Sequence, residues 1–249
     1  MDDVRTAKSE LAPSGRLRAA INFGNPVLAR RDAETGEAGG VSVALARDLA
    51  RQLDLPLDLV PFERAGQVAD AATAGRWEVC FLAIDPKRAA TISFTAPYVI
   101  IEGAYLVPET SPFRKVDEVD RDGVRVLVGA DSAYDLFLTR SLERAKIVRE
   151  VGQKALVAAF ERGAAEVLAG IRQPLELIAA GSSGVRMLPG RFMAIRQAMG
   201  TPAGRPAAAC FLRAFVREAI GSGFVARALA DSGRADVTVA PVPDPDPAG

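Results

Sequence analysis

Histidine is missing altogether from the 249 residues of this chain. Its absence removes the commonest general base, the commonest metal ligand and every Ser-His or Cys-His nucleophile arrangement. Lys, Asp and Glu remain available for catalysis, so enzymes are disfavoured, not excluded. Cysteine is nearly missing: Cys80 lies in an apolar run and Cys210 in an apolar helical stretch. Both read as buried small hydrophobes. A disulfide between them would need their Cα atoms within about 7 Å, and a zinc site would need more ligands than these. Net charge is missing too, with 31 basic and 31 acidic residues, so no global field draws in nucleic acid or an anionic membrane. No apolar run approaches the roughly 20 residues that span a bilayer, and no tandem repeat is found. The chain is therefore expected to need no metal and no cofactor and to have no nucleic-acid partner.

What is present is ordinary for a globular protein, at 49% hydrophobic and 25% charged residues. The length suffices for one large domain or for two lobes. Helix and strand signals alternate, which indicates an α/β fold. Strands are expected at 17–23, 57–62 and 79–82. Between them fall a helix at 41–53, where Leu45, Leu49 and Leu53 recur at helical spacing, and a short helix at 67–74 closed by Gly75. After a long apolar run at 98–107, a second series begins. Strands are expected at 124–128, 146–151 and 167–169, with helices at 133–142, 154–162 and 173–180. Extended segments at 185–188 and 191–195 precede helices at 207–220 and 224–229. The Pro-rich end, 241–249, reads as a flexible tail.

The most informative stretch runs from Arg76 to Tyr98, RWEVCFLAIDPKRAATISFTAPY. A buried-strand run, Val79 to Leu82, is followed by the breaker Asp85-Pro86 and then by Arg88. A turn is expected at 93–98. Ligands of open α/β sheets sit beyond the carboxyl ends of the strands, where an arginine offers a planar fork of donors to a carboxylate. The other reading of Arg88 is a solvated surface arginine.

The segment resembles the family 3 solute-binding proteins of ABC importers, in which a strand leads to Thr-x-x-Arg and then to a phenylalanine-centred turn with Pro-Tyr. Here the counterparts are Ala83-Ile84-Asp85-Pro86-Lys87-Arg88 and Phe94-Thr95-Ala96-Pro97-Tyr98, and the resemblance extends from about Leu17 to Asp231. It implies a two-lobed type 2 periplasmic binding protein fold, each lobe a mixed sheet flanked by helices. Lobe I would comprise 1–107 plus 193–249 and lobe II 108–192, with the ligand cleft between them. It implies further that Arg88 clamps a ligand carboxylate. The stretch Gly129-Ala130-Asp131-Ser132-Ala133-Tyr134 matches a Gly-Thr or Gly-Ser pair at a helix N-terminus. Ser132 is then the matching hydroxyl, with Ala133 beside it, unless Asp131 or Ser132 is simply a helix cap. Asn22, Phe23, Asn25 and Phe62 stand where relatives line the ligand, although core packing accounts equally well for the two phenylalanines. Ala83 replaces a frequent serine and leaves only its carbonyl.

The chain departs from the family at Ile171, which occupies the place of the acid that binds an α-ammonium group. Asp85 is a substitute carboxylate, or else the cap of the turn before Arg88. The resemblance thus implies a monomeric binding protein for a small anionic solute, an amino acid or, given Ile171, a non-amino organic acid. It would deliver that solute to an ABC permease in the membrane. The alternative is a cyclohexadienyl or arogenate dehydratase on the same scaffold, with Asp85, Asp131 or Glu176 as acid. A third class is the sensing module of a larger receptor. The charged start, MDDVRTAKSELAPSG, has no apolar core of a signal peptide. Either a leader has been removed or the chain is a cytosolic member; the family favours a periplasmic protein.

Overall fold

A computed structural model describes residues 2–244. Five of the nine residues expected to form a tail, 245–249, lie outside the described residues. The chain divides into two compact units, 1–100 with 196–249 and 101–195. The expected crossings at 107 and 193 fall within the two long strands that run from one unit into the other.

The first unit opens with a helix absent from the sequence reading, α1 (Asp2–Leu11), followed by β1 (Leu17–Asn22). A short hairpin, β2 (Arg30–Arg31) and β3 (Ala38–Gly39), leads into α2 (Val41–Gln52). Gly40 precedes α2 with φ +102°, and a Cβ there would lie 2.4 Å from the Leu28 carbonyl oxygen, so only glycine fits. Leu45, Ala46, Leu49 and Ala50 form the buried face of α2. Next come β4 (Leu57–Phe62) and α3 (Ala65–Asp70). That helix starts and stops earlier than expected. The Gln67 side chain accepts the N–H groups of Glu63 and Arg64 and so fixes its beginning. Trp77 donates its indole N–H to the Val68 carbonyl, and Gly75, with φ +61°, closes the turns beyond the helix, not the helix itself.

β5 (Val79–Ala83) is buried at every position, because it lies between β1 and a later strand with core on both faces. A single turn, α4 (Pro86–Ala89), and the 17-residue β6 (Ile92–Pro108) follow. The turn expected at 93–98 is thus strand. Pro97 lies within the strand, and beside it the Thr95 hydroxyl accepts the Met199 N–H at 3.2 Å.

The second unit continues with β7 (Arg125–Gly129), α5 (Ala133–Ser141), β8 (Lys146–Glu150), α6 (Gln153–Glu161), β9 (Val167–Ile171), α7 (Arg172–Ala180) and β10 (Val185–Met187). β7 pairs in parallel with β8 and β9, while β9 and β10 run antiparallel to β6. Alternate residues separate onto two faces. Tyr105, Val107, Val126, Val128, Val167 and Ala169 meet Leu138 and Leu188 on one side. Ala104, Leu106, Leu127 and Leu168 meet Leu156, Phe160 and Leu175 on the other. The period of two explains why these strands read as unbroken apolar runs.

β11 (Met193–Pro202) returns the chain to the first unit, where α8 (Pro206–Gly221), α9 (Phe224–Asp231) and β12 (Thr238–Val239) complete it. The strand order there is β4-β1-β5-β11-β6, with β12 on β6. Cys80 is buried as expected, but Cys210 is exposed. Ala208, Ala209, Leu212, Phe215, Val216 and Ala219 form the buried face of α8, and Cys210 falls on the other side of the helix.

Candidate functional site

In the first unit the candidate residues gather where three parallel strands end. Asn22 is level with Phe62 across β1 and β4, and Ala20 with Cys80 across β1 and β5, which brings Ala83 to the same edge. Asn22 accepts the Gly24 N–H at 3.1 Å, and the Phe23 N–H donates to the Phe62 carbonyl at 2.8 Å. Asn25 is buried and turns its side-chain oxygen to the Val27 N–H at 3.3 Å. Phe23 is half-buried beneath the Arg31 guanidinium, 4.1 Å from the ring centre. Phe62 is buried with Val68, Trp77 and Leu82, so its ring serves the core.

The link from β5 to α4 is built by local caps. The Asp85 side chain accepts the Lys87 N–H at 2.9 Å, and Pro86 takes the first helical position, where its missing N–H costs nothing. This turn swings Arg88 back over the strand end. Arg88 is only 3% exposed, and its Nη1 donates to the Ala83 carbonyl at 3.2 Å. The solvated-surface reading of this arginine therefore fails. Burial pushes the Cys80 thiol far up, and the positive charge of Arg88 opposes that rise.

In the second unit the edge is formed by the ends of β7, β8 and β9. The loop after β7 is tightly wound. Asp131 has φ +61°, its N–H donates to Asp135 Oδ2 at 2.9 Å, and Ser132 caps α5 by accepting the Asp135 N–H at 3.0 Å. Asp135 is itself buried and held by Arg149 at 3.0 Å. Ala133 begins the helix. Tyr134 was missed by sequence reasoning. Its hydroxyl would lie 2.9 Å from a Cβ on Gly129, so a larger residue there would make the ring shift, and it hydrogen-bonds with the Ser132 side chain. Burial raises the Tyr134 phenol, so it stays a neutral donor. The signal that points to it is the glycine followed five residues later by an aromatic.

Ile171, half-buried, ends β9 and precedes α7 without any side-chain cap. Beside it, Arg172 Nε donates to Glu102 Oε2 at 2.6 Å, and Arg191 Nη1 donates to the other carboxylate oxygen at 2.9 Å. Burial alone would raise the Glu102 carboxyl, but the two arginines outweigh it and leave it below the ordinary range. Glu102 is thus committed to arginines, and Glu176 lies 3.6 Å from Arg172. Asn22, Phe23, Phe62, Ala83, Asp85 and Arg88 therefore share one strand-end edge, with Asn25 just beyond it; Ser132, Ala133 and Ile171 share the other. A groove of about 710 Å³ on the first unit, between the β2–β3 hairpin and helices α2 and α9, is lined by none of them. Among the described residues no cluster of acidic or cysteine side chains could hold a metal ion, and no helix is long and apolar enough to cross a membrane.

Comparison with solved structures places this architecture among two-lobed periplasmic binding proteins. The cysteine-binding protein of Campylobacter jejuni superposes with a TM-score of 0.77 at 17% identity, over 95% of this chain and 99% of that one. The P235GK mutant of ArgBP from T. maritima gives 0.76 at 19% identity, over 91% and 99%. The ancestral amino acid-binding protein AncCDT-1, described as a precursor of cyclohexadienyl dehydratase, gives 0.74 at 17%, over 90% and 97%. At such identities the likeness establishes the fold. No curated protein sequence matches the chain. The family model of bacterial extracellular solute-binding proteins, family 3, matches residues 17–219. By that match over most of its length, the chain belongs to the family 3 bacterial extracellular solute-binding proteins.

Proposed function

We propose that this protein is the solute-binding component of an ABC importer, acting outside the cytoplasmic membrane and handing a small carboxylate-bearing solute to a membrane permease. The observation that carries the reading is Arg88, buried at the carboxyl edge of β5 with its guanidinium held by the Ala83 carbonyl. Such an arginine is pre-set to form a bidentate pair with a carboxylate. In the second unit, Ser132 and the first N–H groups of α5 suit an anion in the same way. The family resemblance adds that both lobes close on the solute, which needs no chemistry, only a ligand that favours the closed state.

The solute is a carboxylate without an α-ammonium group. Ile171 cannot pair with a cation, Glu102 is taken by Arg172 and Arg191, and Asp85 caps α4. An ammonium buried here would lack a partner. Calorimetry on Arg88→Ala tests the reading: affinity for carboxylate solutes falls by roughly tenfold to a hundredfold with the fold unchanged. Binding equal to that of the parent would overturn it. Tighter binding of an amino acid than of its deaminated analogue would overturn the non-amino assignment alone. Of the three acids the dehydratase reading could use, Asp85 caps α4, Glu176 lies 3.6 Å from Arg172, and Asp131 sits in the turn before Ser132; turnover of prephenate or arogenate would favour that reading.

A further inference from the structure

Arg31 ends the first strand of the hairpin, is exposed, and makes no ion pair or hydrogen bond among the described residues. Its partner across the hairpin is Ala38, not an acid. The neighbouring Asp32 is turned to the hairpin loop, where its Oδ1 accepts the Glu34 and Thr35 N–H groups at 3.0 and 2.8 Å. Successive residues of a strand face opposite ways. Arg30 and Asp32 line the groove beside α2 and α9, and Arg31 does not. Arg31 instead lays its guanidinium over the Phe23 ring, 4.1 Å from the centre.

That ring belongs to the strand-end edge that holds Arg88. Ala20 is level with Cys80 in neighbouring parallel strands, so on the same register Phe23 stands level with Ala83, about 4.8 Å away. Arg88 is held by the Ala83 carbonyl and Arg31 by the Phe23 ring. The base of the hairpin is firm as well: Val27, Leu28 and Ala29 are buried, and the Leu28 carbonyl accepts the Ser42 N–H at 3.1 Å. A guanidinium stacked on a ring uses its face and leaves its N–H fork free in the plane. Two arginines are thus mounted on adjacent strand ends, and Arg31 has no acid among the described residues to neutralise it.

We infer that Arg31 is a specificity-determining residue that receives a second carboxylate, so that the solute is a short dicarboxylic acid with one carboxylate on Arg88 and the other on Arg31. This rests on the carboxylate reading above and narrows it. The test is calorimetry of the full chain with matched pairs of equal chain length: butanedioate with butanoate, pentanedioate with pentanoate, and hexanedioate with hexanoate.

The dicarboxylate of at least one pair should bind about tenfold or more tighter than its companion. Arg31→Gln should shrink that ratio to about twofold, because the amide keeps a donor but neither the charge nor the fork. If the parent binds each monocarboxylate as tightly as its dicarboxylate, or if Arg31→Gln keeps the full ratio, the assignment of Arg31 is overturned while the carboxylate site stands. If none of the six acids binds, the dicarboxylate assignment falls, and the carboxylate reading is judged separately by Arg88→Ala. The ligand comparison on the parent needs no variant, so a poorly folding Arg31→Gln would not rescue the idea.

Discussion

Asp131 is held at φ +61°, in the left-handed region that favours glycine, at the turn that presents Ser132. A carboxylate there also works against an arriving anion. Asp131→Gly should relieve the backbone and remove the charge. The expected outcome is unchanged or slightly raised thermal stability and an affinity for carboxylate solutes higher by about threefold to tenfold, read by calorimetry. Arg88→Lys should recover only part of what Arg88→Ala loses, because a point charge cannot reproduce the fork. Spacing alone fits a solvated Arg88; the family resemblance singled it out, and its burial shows only in the fold. Cys210 was misread because apolar composition on a helix does not say which side faces the core. Tyr134 leaves a trace in the sequence, the glycine five residues before it, but its position over that glycine shows only in the fold.

Two elements are secured by single carboxylates. Glu78, fully buried before β5, pairs with Arg18 of β1 through Nε at 3.0 Å and through a second, shorter contact from Nη2. Arg18→Ala would leave that charge buried with the backbone N–H of residue 18 but no cation, at a cost of about 3–5 kcal/mol in denaturant unfolding. Asp120 gathers the N–H groups of Ala145, Glu143 and Arg144 at 2.9, 3.0 and 2.8 Å, fixing the approach to β8. Those bonds, with Ala145 first, hold its carboxyl below the ordinary range. Its stabilising effect is therefore fully present above the unfolded carboxylate value, near pH 4, and is lost as pH falls through the lower folded value. Asp120→Asn should be less stable near neutrality and should show a flatter loss of stability on acidification, measured by urea midpoints against pH. The alternating βα order was readable because β5, β7 and β9 are apolar runs bounded by turns. The length of β6 was not, because Pro97 reads as a breaker, yet the strand runs on through it.

At the scale of the molecule the two thiols serve as reporters. Cys210 is exposed and Cys80 is fully buried with its ionisation suppressed. A disulfide-exchange reagent should therefore titrate one thiol per native chain at once. The second should appear only with unfolding, and a saturating solute should slow it by mass action, with about 2.7 kcal/mol of added stability at a hundredfold excess over Kd. Prompt reaction of both thiols would contradict the burial of β5.

The second unit is one continuous segment, whereas the first is made of two segments that it separates. Helix α1 packs on α8, and the Glu10 carboxylate accepts the Ala208 N–H at 2.7 Å, serving as the cap that the start of α8 does not supply for itself. Arg205 returns a bond to the Glu10 carbonyl at 3.0 Å. On a ribosome, then, a segment that emerges early is among the last to be secured. The amino-terminal helix must wait through the synthesis of nearly two hundred residues before its partner exists, while the middle segment can already fold. Anything that must handle the chain before it is compact has that interval in which to act.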